Sequence, residues 1–140
     1  MVTSKLHNRM MAAVVLDDAR EIRTLAKDGF DVTGIDMNGD TWLDVAIARK
    51  CMNAAAAILM RSGSKTTLLN MVDVNGDTVI DKAIGVVVSE KFLAMLLVAS
   101  DKLDLLHTNS KGVSTLDLLM KLNSKTVNDA LISNHYLAVA

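Results

Sequence analysis

Near the start of the chain, apolar residues return at helical intervals. Met10, Ala13 and Val14 form one stripe, and Ile22, Leu25 and Ala26 form another. A three-and-four spacing puts such side chains on one face of a helix. The pattern predicts a first unit beginning near Asn8. Asp17 or Asp18 caps its second helix, which runs to Lys27 and stops at Asp28-Gly29. A second unit is predicted with one helix over 42–50 and another from an Asn53 cap to Ser62-Gly63. A third has helices over 79–87 and 90–99, with Ser89 as cap and Gly85 weakening the first of them. A fourth has helices over 115–122 and 125–133. The segment around Lys65 to Leu69 predicts an extra half-turn, packed through Leu68 and Leu69.

One stretch between these helices recurs. Asn38-Gly39-Asp40-Thr41-Trp42-Leu43-Asp44 returns as Asn75-Gly76-Asp77-Thr78-Val79-Ile80-Asp81, and more loosely as Lys111-Gly112-Val113-Ser114-Thr115-Leu116-Asp117. The glycines lie 37 and 36 residues apart, a period typical of repeat arrays. Gly permits the left-handed backbone of a tight turn. Thr41, Thr78 or Ser114 can then accept an orphan N–H at a helix start. Asp44, Asp81 and Asp117 complete capping boxes three residues on.

With Ala46 and Ala83 following, Gly-x-Thr-x-Leu-x-x-Ala resembles the opening of an ankyrin repeat, Gly-x-Thr-Pro-Leu-His-x-Ala. Asp28-Gly29-Phe30-Asp31-Val32 is similar to that repeat's ending. The resemblance implies an all-α, ankyrin-like helical repeat solenoid filling residues 1–140. It implies repeats at about 8–40, 41–77, 78–113 and 114–136. Trp42, Val79 and Thr115 stand where proline is usual, and Asp44, Asp81 and Asp117 where histidine is usual. Losing the histidine removes hydrogen bonds between neighbouring turns, for which the Thr-to-Asp caps are the expected substitute. Thr-x-Leu-Asp is also similar to repeats of some bacterial effectors that reach host cells.

Composition fits helices that stack closely. Half the chain is hydrophobic (51%), aromatics are 3%, there are nine Met, and proline is absent. Fifteen basic and sixteen acidic residues leave a net charge of −1, no footprint for nucleic acid or an anionic membrane. A lone Cys51 excludes an internal disulfide framework and points to a reducing compartment. The apolar run from Met10 to Leu16 precedes Asp17-Asp18 rather than a small-residue cleavage site, so it does not read as a signal peptide. No run approaches the ~18 apolar residues of a membrane span. The expected location is cytoplasmic, or a host cytoplasm reached without a cleaved signal peptide.

Site chemistry is sparse. Asp36-Met37-Asn38-Gly39-Asp40 and Asp73-Val74-Asn75-Gly76-Asp77 look like the start of a calcium loop. Thr41 and Thr78 stand where that loop needs Gly, and Ile47 and Ile84 where it needs its closing carboxylate. A capping turn is the better reading. His7, His107 and His135 pair with no cysteine at zinc spacing. No nucleophile elbow or phosphate loop is present. No metal, cofactor or enzymatic activity is expected.

Ankyrin repeats are generally protein-binding modules that use their projecting turns and the concave face of their first helices. Carried onto this chain, the turn tips are Met37 and Asn38, Val74 and Asn75, and His107 with Asn109. The first-helix surface is Trp42, Val45 and Arg49, then Lys82 and Val86, then Leu118 and Lys121. Trp42 heads this set, because tryptophan is enriched at interface hot spots. The expectation is a non-enzymatic module that binds another protein, as an effector or inhibitor. The alternative is a structural or regulatory fragment that docks through the apolar end His135 to Ala140.

Overall fold

A computed structural model of the chain describes residues 2–36 and 39–137, with side chains from Lys5 onward. The protein is all-helical. Among the described residues there is no strand, only two isolated antiparallel bridges, Ile35 with Thr41 and Thr108 with Ser114. The chain forms two compact units, Met1–Gly63 and Ser64–Ala140.

The first unit holds α1 (Val2–Val15), α2 (Ala19–Lys27), α3 (Trp42–Ala48) and α4 (Met52–Arg61). Helix α1 packs on the other three, and α4 packs on α2 and α3. Its core includes Met10, Ala13, Val14, Ile22, Leu25, Leu43, Ile47 and Ile58. Each large side chain of this kind contributes about 1.5–3 kcal/mol on leaving water. The Ile22 and Leu25 stripe faces inward, as its spacing predicts. Asp18 caps α2, its side chain accepting the Glu21 N–H. Helix α1 begins well before Asn8, because Val2 to His7 carries no breaker residue.

The second unit holds α5 (Lys65–Asn70), α6 (Val79–Gly85), α7 (Glu90–Val98), α8 (Thr115–Lys121) and α9 (Lys125–Ser133). Helix α7 packs on α9, and α6 on α5, α7 and α8. The extra segment is a complete short helix, capped by Ser64 and burying Leu68 and Leu69. It is also tied down by polar contacts. Asn70 Nδ2 donates to the Lys102 carbonyl at 3.1 Å, and Asn70 Oδ1 accepts the Asp104 N–H at 2.9 Å. Thr66 and Ser100 share a hydrogen bond between hydroxyls.

Several of the helices end in one recurring way. Asp17, Lys50, Val87, Asn123 and His135 all have φ between 49° and 64°. Each follows a helix: α1, α3, α6, α8 and α9. At Asp17, Lys50, Val87 and His135 two reverse hydrogen bonds close the end. For α6 these are Val87 N–H to the Ile84 carbonyl and Val88 N–H to the Ala83 carbonyl, both at 3.1 Å. This is the Schellman closure, whose left-handed position usually holds glycine. Here only α2 follows that preference, with Gly29 at φ 98°.

The cap of α4 departs from expectation. Asn53 lies inside the helix, and the N-cap residue is Cys51, which makes no side-chain cap bond. The cap comes from the residue that ends α1. Asp17 Oδ1 accepts the Ala54 N–H at 2.8 Å, and Oδ2 accepts from Asn53 Nδ2 at 3.0 Å. The left-handed backbone at Asp17 turns its carboxylate toward those amides.

Candidate partner-binding surface

Three turns lead into α3, α6 and α8, and all are built on a short side-chain acceptor. In the second turn, Asp73 Oδ1 accepts the Asn75 N–H at 2.8 Å and the Asp77 N–H at 3.0 Å. Asp73 N–H donates to the Asp77 carbonyl at 3.0 Å. In the first turn, Asp36 makes the same exchange with Asp40. In the third, Asn109 does so with Val113, and its Oδ1 also accepts the Lys111 N–H at 2.9 Å. A side-chain oxygen that mimics a backbone acceptor in this way is the usual role of Asp and Asn in turns. The acids that resemble a calcium loop therefore hold backbone amides, and a neutral Asn serves equally well at 109. Among the described residues, no group of three His, Cys, Asp or Glu could hold a metal ion.

Thr41, Thr78 and Ser114 each accept the amide three residues on, at 3.0, 3.3 and 3.0 Å. At α6 the box is reciprocal, with the Thr78 N–H donating to Asp81 Oδ2 at 3.0 Å. Gly76, at φ 76°, cannot be replaced without strain, because a Cβ there would also meet Asn109 Cα at 3.3 Å.

The second and third turns are joined. Ser110 N–H donates to the Asn75 carbonyl at 3.0 Å, and Asn109 Nδ2 to Asp77 Oδ1 at 3.2 Å. His107 Nε2 lies 3.1 Å from the Gly76 carbonyl, which can only accept, so this nitrogen carries the proton. Beneath them, the Thr115 hydroxyl bonds to Asp81.

Several residues expected to contact a partner have other duties. Trp42 is 1% exposed and unavailable as a surface contact. It opens α3, and its ring packs against His7 (4.8 Å between centroids) and Phe30 (6.4 Å). An indole at that position finds two neighbouring rings, so the partly exposed side chain expected there is corrected to a core side chain. Lys82 is half-buried, with Nζ 3.1 Å from Asp73 Oδ2. Burial pushes the Asp73 carboxyl up. The Asp77 amide, Lys82 and the Asn75 amide outweigh that and hold it below its ordinary value. His107 is half-buried against the neighbouring turn. Val45, Val86 and Leu118 are half-buried, whereas Arg49 and Lys121 are exposed. Met37 and Asn38 lie outside the described residues.

The second turn retains a free tip. Asn75 is exposed and Val74 is fully so, at 101%. Met71 and Val72 are also exposed, which the sequence reading missed. Their signal was an apolar pair set between Asn70 and the polar turn that begins at Asp73. Ile35, at the place in the first turn equivalent to Val72, is exposed as well.

The C-terminal segment folds back within the second unit. Tyr136 OH donates to the Ser100 carbonyl at 2.6 Å and accepts the Leu103 N–H at 2.8 Å. Asn134 Nδ2 donates to the Leu97 and Ser100 carbonyls. These contacts satisfy the end of α7, where Ser100 replaces a terminal glycine. Burial raises the Tyr136 hydroxyl above its ordinary pKa. A cleft of about 260 Å³ lies beside it, lined chiefly by Leu103, Leu105, Leu106 and Leu116. Cys51 is buried, and burial followed by the nearby Asp17 raises its thiol above the ordinary value.

No helix among the described residues is long and apolar enough to cross a membrane. The chain matches no model of a known protein family, and no curated protein is detectably similar to it.

Proposed function

We propose that this chain is a non-enzymatic module that binds another protein through its projecting turns. In this reading its helices form about four ankyrin-like repeats stacked as a solenoid. The observation that carries it is the turn itself. One hydrogen-bond scheme on Asp36, Asp73 and Asn109 recurs at intervals of 37 and 36 residues, each time leading into a capped helix. Rigid turns that expose small apolar tips suit recognition of a protein surface, since little conformational entropy is lost on docking. Met71, Val72, Val74 and Asn75 form the leading contact set in the second unit, with Lys121 as an exposed first-helix contributor; in the first unit, considered by itself, Arg49 is the exposed candidate. The Thr-x-Leu-Asp start at Thr41, with its looser copies at Thr78 and Ser114, supports an effector or inhibitor role in a cytoplasm.

The test is affinity capture with the wild type against a Val72→Ser, Val74→Ser double variant of unchanged melting temperature. A partner held by the wild type and lost by the variant supports the reading. Equal capture by both removes this surface.

The cleft beside Tyr136 favours a second reading, docking through the C-terminal end onto a larger assembly. Leu106, 73% exposed at its rim, is the residue to test. If Leu106→Asp abolishes capture and the turn variant does not, the second reading replaces the first.

A further inference from the structure

The chain has two Asn-Gly pairs, Asn38-Gly39 and Asn75-Gly76, while the third turn has Lys111-Gly112. Asparagine before glycine has a chemistry of its own. The following backbone nitrogen can close on the side-chain carbonyl carbon, and glycine has no Cβ to obstruct the approach. We infer that Asn75-Gly76 is a self-modification site whose only reagent is water. Gly76 N attacks Asn75 Cγ and an N–Cγ bond forms. The Cγ–Nδ2 bond breaks, and Nδ2 leaves as ammonia with the proton from Gly76 N. Water then opens the cyclic imide at either carbonyl. One product is aspartate. The other is isoaspartate, in which the main chain runs through the former side-chain carbon.

The fold both restrains this reaction and gives it a consequence. Gly76 N–H donates to the Asp73 carbonyl at 3.0 Å, and Asn75 N–H to Asp73 Oδ1 at 2.8 Å. Closure requires the Gly76 nitrogen to leave its acceptor, so opening of the Asp73 turn gates the step. The Asn75 carbonyl accepts the Ser110 N–H at 3.0 Å. Isoaspartate displaces that carbonyl and severs the link to the third turn. Either product also adds a carboxylate beside Asp73 and Asp77. Lys111, in the corresponding place, has no such chemistry. The inference does not depend on the protein-binding reading.

The experiment is incubation of the full chain at mildly alkaline pH, followed by peptide mass mapping and enzymatic methylation of isoaspartate. Expected is an amide-to-acid mass change at Asn75, several-fold faster in Asp73→Ala than in wild type and absent in Asn75→Lys. Modified wild type should melt lower, with faster exchange of the Ser110 amide. If Asp73→Ala fails to fold by circular dichroism, Lys82→Met, which removes the ion pair to Asp73, serves as the loosened variant. The inference is overturned if Asn75 survives in wild type and loosened variant while the urea-unfolded chain converts. Equal rates in wild type and loosened variant, or conversion at Asn38 alone, overturn it as well.

Discussion

Thr115 and Asp81 are joined by a buried hydrogen bond, Thr115 Oγ1 donating to Asp81 Oδ1 at 2.7 Å. The other oxygen of Asp81 closes the α6 capping box. One carboxylate therefore fastens its own helix start and the first residue of α8. Thr115→Val keeps the shape but leaves a buried carboxylate oxygen short of a donor. It should cost about 1–3 kcal/mol in urea unfolding. Adding Asp81→Ala should cost less than the two separate losses combined, by about 0.5 kcal/mol or more, as expected for groups in one network. Strict additivity would show that the bond contributes nothing of its own.

Asp17 is the cap of α4, supplied from the end of α1. Asp17→Ala should destabilise the protein by about 1 kcal/mol, the usual loss at an N-cap. Amide exchange at Ala54 should quicken more than exchange in the middle of α4. Asn53→Ala removes only the side-chain contact and should cost less. If Asn53→Ala is the more damaging change, the cap lies in the helix after all.

Val87 sits at φ 60° and 76% exposed, a costly conformation for a β-branched residue with little packing in return. Left-handed backbone costs an ordinary residue about 1–2 kcal/mol. The corresponding position after α8 is Asn123, a residue that tolerates it. Val87→Asn should therefore stabilise the protein by about 1 kcal/mol, read as a higher denaturant midpoint with an unchanged slope. A lower midpoint would mean that the exposed valine contributes packing that its surface area does not suggest.

Asp73 governs part of the acid response. A carboxyl held below its unfolded value stabilises the fold above that unfolded value, about pH 4. The contribution fades as pH falls through the lowered folded value. Asp73→Asn keeps a side-chain oxygen for the two turn amides, as Asn109 does, but gives up the Lys82 ion pair. Its stability should vary less steeply below about pH 4 than that of the wild type. Parallel acid limbs in the two proteins would refute the assignment.

Much of the helical framework was legible in the residues. Thr41, Thr78, Ser89 and Ser114 cap the helices their sequence context predicts, because an N-cap is a local bond spanning three residues. The stripe of Ile22 and Leu25 fixed which face of α2 is buried. Other features depend on partners distant in sequence. Asp17 reaches Ala54 across 37 positions, so Asn53, a good cap by type, looked like the answer. Trp42 occupied the place of a turn proline, and nothing near it in sequence announced His7 as a neighbour. The helix ends at Lys50 and Val87 were blurred for a different reason. Hydrogen bonds enforce left-handed closure there without the glycine that normally marks it. Of the candidate surface, Val74 and Asn75 were readable from the turn pattern. Met71 and Val72 were not, because apolar residues after a buried pair read as more core.

The turn design also separates shape from electrostatics. Each projecting turn is framed by one short oxygen-bearing side chain, and both the acid and its amide perform that task. Exchanging one for the other changes the charge at the base of a turn by a full unit while leaving the backbone frame in place. A lineage carrying this scaffold can therefore reset its surface charge one turn at a time, without rebuilding the helices beneath.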